Sequence, residues 1–239
     1  MRQHATRSTP PRSEAFVLSG GASLGAIQVG MLRALIERDI RPDVIVATSV
    51  GALNRAFVAS HVPTPSSLGE LADLWRGARR GDVFPLEPLT GLLGFLCVRR
   101  NLVPGGALRR LLARNLLHER LEDLPIPLHV VACELLTGSE VLLSRGLLVN
   151  AVLASAAIPG VLPPVEWDGR LLIDGGVVNH TPISHAISLG AQQIYVLPTG
   201  APCTLTRATT RCAGDAHTRD RADGRPALHG RGRLAAWRH

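Results

Sequence analysis

The chain opens its ordered pattern with an apolar run, Glu14 to Ser19 (EAFVLS), that passes into glycines and then into Leu24, Ile27, Met31, Leu35 and Ile36 at helical spacing. Gln28, Arg33, Glu37 and Arg38 lie between them, so the spacing predicts a strand, a glycine loop and an amphipathic helix. Pro42 breaks the chain before a second strand at Val44 to Val46, and Val50 to Ser60 reads as a helix that ends ahead of Pro63. Helices are expected over Ser67 to Arg79, Gly105 to Leu117, Val149 to Ala157 and His180 to Leu189, and strands over Leu128 to Cys133, Glu140 to Leu143, Leu171 to Ile173 and Gln193 to Leu197. Strand and helix alternation of this kind implies right-handed crossovers and a parallel sheet, with any ligand at the carboxyl ends of the strands. The apolar, proline- and glycine-rich stretch 86–104 reads either as a core helix with irregular ends or as a mobile flap over a site.

Composition sharpens this picture. Aromatic residues are only 3% of a chain that is 46% hydrophobic, so the core must come from Leu, Val, Ile and Ala, which suits helices packed on a parallel sheet. All 26 basic residues are arginine, a bias from which no function is drawn. From Ala201 onward eight arginines stand against three aspartates, +5 of the formal +7, and the body is close to neutral. Nucleic-acid binding is therefore not expected, because phosphate recognition needs a basic face on the folded domain. Cys97, Cys133, Cys203 and Cys212 lack zinc-site spacing and are expected to be reduced thiols, with no metal and no cofactor. Residues 1–13 carry no apolar signal core and read as a disordered segment, and residues 199–239 read as an Arg-rich disordered tail.

Candidate chemistry collects at the ends of strands. Residues 47–51, ATSVG, follow the second strand and approximate the nucleophile elbow G-x-S-x-G, with Ala47 in place of the first glycine and Gly51 as the second. On pattern alone, Ser49 is either the start of a helix or a nucleophile. The loop SGGASLG (19–25) precedes a helix, and its Gly20, Gly21 and Ala22 N–H groups could cradle an oxyanion. Asp174, in the turn DGG at the end of an apolar strand, could accept the serine's proton, with Gly175 and Gly176 allowing close backbone approach.

The ordered segments LSGGASLGAIQVGML, ATSVGALN, ASAAIPGVLPPV and DGRLLIDGGVVNHTPI resemble the bacterial patatin-like phospholipases over roughly Glu14 to Pro198. That resemblance implies a three-layer α/β/α fold with a mostly parallel central sheet and an acyl hydrolase domain over residues 14–198. It also implies hydrolysis of lipid acyl esters by a Ser-Asp dyad without a catalytic histidine. Carried over, Ser49 would be the nucleophile, Asp174 the base, and Gly20, Gly21 and Ala22 the oxyanion hole, with Gly25, Ala47, Gly51, Gly175 and Gly176 as motif support. The chain departs from the family at Ala22, Leu24 and Ala47, and in its C-terminal segment. A lipid ester substrate and a cytoplasmic location with peripheral membrane contact are expected.

Three other readings compete. His180 or His185 would complete a Ser-Asp-His triad in hydrolase order. Gly20, Gly25 and Asp39 imitate a dinucleotide-binding unit but leave ATSVG and DGG unexplained, and a phosphate-binding P-loop fails because Gly25 is followed by Ala26 and Ile27. The third is a lipid-binding or regulatory protein that keeps the fold with an impaired oxyanion hole.

Overall fold

A computed structural model describes residues 13–60, 64–78 and 103–200. The expectations for the N-terminal segment, most of the 86–104 stretch and the Arg-rich tail beyond Gly200 lie outside the described residues. The strands are β1 (Glu14–Leu18), β2 (Val44–Thr48), β3 (Leu128–Glu134), β4 (Glu140–Leu143), β5 (Val165–Trp167), β6 (Arg170–Asp174) and β7 (Gln193–Leu197). The helices are α1 (Ala26–Ile36), α2 (Val50–Ser60), α3 (Pro65–Gly77), α4 (Gly106–Asn115), α5 (Leu148–Ser155) and α6 (Ile183–Ser188).

The expected parallel sheet is present as β7-β1-β2-β3, and β4, β5 and β6 add an antiparallel flank beside β3. Alternation along β1 sends Phe16 and Leu18 into the larger core, with Ile45, Ala47, Leu32 and Leu68. Ala15 and Val17 face the opposite side, where Val46, Val131 and Ala186 of α6 form a second, smaller cluster. Both faces of the sheet are thus covered, which is the three-layer arrangement expected.

The pairing of β3 positions the site. One edge of β3 is taken by β4, from Val130 opposite Leu143 to Cys133 opposite Glu140. The other edge is shared. β2 pairs in parallel with its first half, ending at Thr48 opposite Val131, and β6 pairs antiparallel with its second half, ending at Asp174 opposite Ala132. The carboxyl ends of β2 and β6 therefore point at each other across one residue step of β3.

Several elements differ from expectation for identifiable reasons. The short strand β5 was not expected; three residues are too few to give a strand signal, and they pair with β6 through the Asp168-Gly169 turn, both of whose residues are at positive φ. The last helix begins at Ile183, because Pro182 disfavours the helical region for Thr181 before it and so keeps His180 and Thr181 outside. α3 begins two residues earlier than predicted: Thr64 accepts from the Ser67 N–H while the Ser67 hydroxyl accepts from the Thr64 N–H.

On α1 the buried stripe is Gln28, Val29, Leu32 and Ile36, while Leu24 and Ile27 are exposed. Apolar spacing cannot register a buried glutamine. The Gln28 side-chain amide donates at 2.9 Å to the carbonyls of Ser19 and Leu197, capping the ends of β1 and β7, and its oxygen accepts from Asn54. Arg55 on α2 is fully buried, and its guanidinium nitrogens have no hydrogen-bond partner among the described residues. Burial alone lowers its pKa to about 9.

Candidate active site

Ser49 sits between the end of β2 and the start of α2 at φ +54, in the left-handed region that costs a side-chain-bearing residue about 1–2 kcal/mol. Its carbonyl already accepts the first helical bond, from Leu53 N–H, so Ser49 does open a helix. Its hydroxyl does not cap that helix. It donates instead to Asp174 Oδ2 at 2.7 Å, and both residues are buried. Asp174 Oδ1 accepts the Gly176 N–H at 2.7 Å, which orients the carboxylate. Burial raises the Asp174 carboxyl above its ordinary value; the Ser49 hydroxyl, the Gly176 N–H and the charge of His180 oppose that shift.

The small residues around the pair are required by close packing. A Cβ at Gly51 would lie 2.6 Å from the Leu18 carbonyl oxygen, one at Gly25 would overlap Val50, and one at Gly175 would overlap the Val131 carbonyl. Ala47 is different. It lies opposite Leu18 and Val130 with its methyl in the apolar core, so an alanine fits where the elbow pattern calls for glycine.

The glycine loop lies beside the pair. A Cβ on Gly20 would stand 3.4 Å from Ser49 Cβ and 3.3 Å from the His180 ring. The N–H of Gly20 donates to the His180 carbonyl at 3.0 Å. Gly21 (φ +144) and Ala22 (φ +49) turn the loop, and among the described residues no acceptor takes the N–H of either. The loop is held from behind by Thr199, which is buried, donates through its hydroxyl to the Gly20 carbonyl and through its N–H to Ser19 Oγ at 2.9 Å.

His180 is exposed, and among the described residues the hydrogen-bond contact of its ring is with Thr181 Oγ1, at 3.5 Å; it makes no hydrogen bond to Ser49 or Asp174. His185 lies on α6 and contacts Glu140 Oε1 at 2.5 Å. Asp39 is paired with Arg41 at 3.0 Å after α1 and is no part of the site.

Sequence reasoning missed Ser155. It is fully buried at the end of α5, accepts the Ser49 N–H at 2.7 Å and donates to the Val131 carbonyl at 2.5 Å. The available signal was a hydroxyl in an otherwise apolar helix end, within the quoted segment ASAAIPG.

Fold and site together define an α/β protein whose serine, at a strand-to-helix turn, faces a single buried carboxylate beside a glycine loop. The family profile described as patatin-like phospholipase matches residues 16–187, and the chain belongs to that family. It is 34% identical over 185 residues to an uncharacterised NTE family protein of Mycobacterium tuberculosis, covering 77% of this chain and 48% of that protein. It is 29% identical over 189 residues to patatin-like phospholipase domain-containing protein 6 of Homo sapiens, covering 78% of this chain and 13% of that one. The chain therefore spans at most about half the length of these relatives. Among solved structures, VipD from Legionella pneumophila shares the fold, with a TM-score of 0.55 at 14% identity over 79% of this chain and 50% of that one.

Proposed function

We propose that the protein is a serine acyl hydrolase that cleaves ester bonds of phospholipids or related lipids through an acyl-enzyme on Ser49. The observation that carries this reading is the buried 2.7 Å hydrogen bond from Ser49 Oγ to Asp174 Oδ2. An alcohol is a poor nucleophile until its proton is taken, and a carboxylate whose proton affinity is raised by burial is a better acceptor. As Ser49 Oγ attacks the ester carbonyl carbon, its proton passes to Asp174. The tetrahedral oxyanion is met by the N–H groups of Gly21 and Ala22, helped by the positive N-terminal end of α2. Collapse breaks the ester C–O bond, and the departing alkoxide takes the proton from Asp174. Water then attacks the acyl-Ser49, giving its proton to Asp174, which returns it to Ser49 Oγ as the carboxylic acid leaves.

A lipid substrate is supported by family membership and by apolar side chains that follow two of the site's loops. Leu24, 51% exposed, lies near the end of the glycine loop and Ile27, 49% exposed, just after it, and Val177 and Val178 come just after the DGG turn. Such residues suit peripheral contact with a lipid surface. Among the described residues no helix is long and apolar enough to cross a membrane.

The test is labelling by a fluorophosphonate probe, which reacts with activated serines. The parent should label, Ser49→Ala should not, and Asp174→Asn should label far more slowly while remaining folded. A folded parent that stays unlabelled and hydrolyses no lipid ester would sink the reading.

A further inference from the structure

The end of α5 touches the backbone of both proposed dyad residues. Ser155 Oγ accepts the Ser49 N–H, and the Ala157 carbonyl accepts the Asp174 N–H at 3.0 Å. The reason lies in β3. At Val131 and Ala132 its edge passes from β2 to β6, so the ladder is interrupted where two strand ends meet. Had β2 or β6 run on along this edge of β3, ladder bonds would have satisfied the next N–H of β2 and the free carbonyl of β3. Here neither strand continues, and the gap is closed by one hydroxyl. Ser155 Oγ takes the Ser49 N–H and gives its own proton to the Val131 carbonyl. Gly175 leaves room for this, because any side chain there would strike the same Val131 carbonyl.

We propose that Ser155 is the positioning residue for the nucleophile: it bridges the interrupted edge of β3 and holds Ser49 in its left-handed turn, with Oγ aimed at Asp174. The inference rests on the reading of Ser49 as nucleophile. Both groups that Ser155 satisfies are backbone groups, and Ser155 itself is fully buried, so solvent cannot take the place of the hydroxyl without rearrangement. Commitment of the Ser49 N–H to Ser155 also removes it from the set of oxyanion donors, leaving that task to the glycine loop. Without the hydroxyl, the Ser49 N–H and the Val131 carbonyl lose their partner together. The turn is then free to relax toward ordinary φ, which swings Oγ away from the carboxylate.

The experiment compares parent, Ser155→Ala, Ser155→Cys and Ser155→Thr, each purified and measured well below its melting temperature. The readouts are the rate of fluorophosphonate labelling and kcat and KM on p-nitrophenyl butyrate. Loss of position lowers kcat and the labelling rate of Ser155→Ala about a hundredfold with KM little changed. Ser155→Cys, whose sulfur is a weak acceptor, falls nearly as far, and Ser155→Thr recovers a substantial part. A purely structural role would lower the melting temperature and leave kcat per folded molecule intact; labelling of folded Ser155→Ala within about twofold of the parent overturns the proposal. Amide exchange of Ser49 in the parent tests the clamp even where the variants fold poorly. Protection comparable to the β2 amides supports it, and rapid exchange overturns it. A folded parent that neither labels nor turns over ester fails at Ser49 itself, removing the hydrolase reading and the positioning role with it, whereas a labelled parent with a fully labelled Ser155→Ala removes the positioning role alone.

Discussion

Ser49 and Asp174 are 125 positions apart in the chain, yet each is placed by the end of a strand on the same edge of β3, and the two ends meet with Oγ 2.7 Å from Oδ2. Neither side chain has to reach. The contact is a product of strand register, and the consequences for acid–base behaviour follow from it.

In the proposed mechanism Asp174 must be ionised to accept the Ser49 proton, and its carboxyl is raised by burial. The acid limb of the kcat/KM–pH profile is therefore expected to have its midpoint above the ordinary carboxylate value of about 3.9. The linked effect on stability has a definite sign. A carboxyl with a higher pKa folded than unfolded lowers stability as pH rises through the folded value, so Asp174→Asn should melt above the parent at neutral pH, with the advantage shrinking on acidification. Thermal melts across pH check this; a neutral-pH melting temperature below the parent's would contradict it.

His180 lies beside Gly20 but makes no hydrogen bond to either proposed dyad residue. A true triad histidine, when removed, costs several orders of magnitude in rate. His180→Ala is expected to keep kcat within about tenfold of the parent, and His185→Ala likewise. Steady-state kinetics of both variants decides between dyad and triad.

Ala22 occupies the left-handed region at φ +49, where glycine is free of the Cβ penalty. Ala22→Gly keeps the N–H while removing that strain, partly offset by the greater freedom of glycine in the unfolded chain. The expected outcome is a gain of about 0.5–1 kcal/mol in denaturant unfolding with esterase activity at least equal to the parent's. A loss of activity would show that the methyl helps set the loop.

Arg55 is a buried guanidinium with no hydrogen-bond partner among the described residues. A charge in that position opposes folding, so Arg55→Met, which keeps the length and apolar stem, should stabilise the protein by about 1 kcal/mol or more. Because the folded pKa is lowered to about 9, the parent's own penalty should ease as pH rises through that value toward the unfolded one. Urea melts of parent and variant at pH 7 and 9.5 measure both effects; destabilisation by Arg55→Met would reveal an anionic partner.

Much of this was legible in the chain because local patterns carry local geometry. The run into ATSVG marks a strand, a tight turn and a helix, and glycines at 25, 51 and 175 stand where no Cβ fits. What misled was polarity out of place. Gln28 is buried because two strand-end carbonyls need donors, and that need exists only once β1 and β7 are paired. The Gly20 N–H finds its acceptor in the carbonyl of His180, whose place beside the loop depends on the whole sheet.

The sequence by itself determined the elements, the small residues of the elbow and loops, and the residue types able to perform acyl transfer, since these depend on side-chain size, periodicity and pKa. Only the tertiary structure decided which of them meet. The serine hydroxyl finds its carboxylate because β3 outruns β2 and accepts β6 on the same edge, and Ser155 matters because that junction leaves a backbone donor and a backbone acceptor without a strand to satisfy them. Hydrogen-bonding needs of this kind arise from register between distant segments, and no local pattern encodes register.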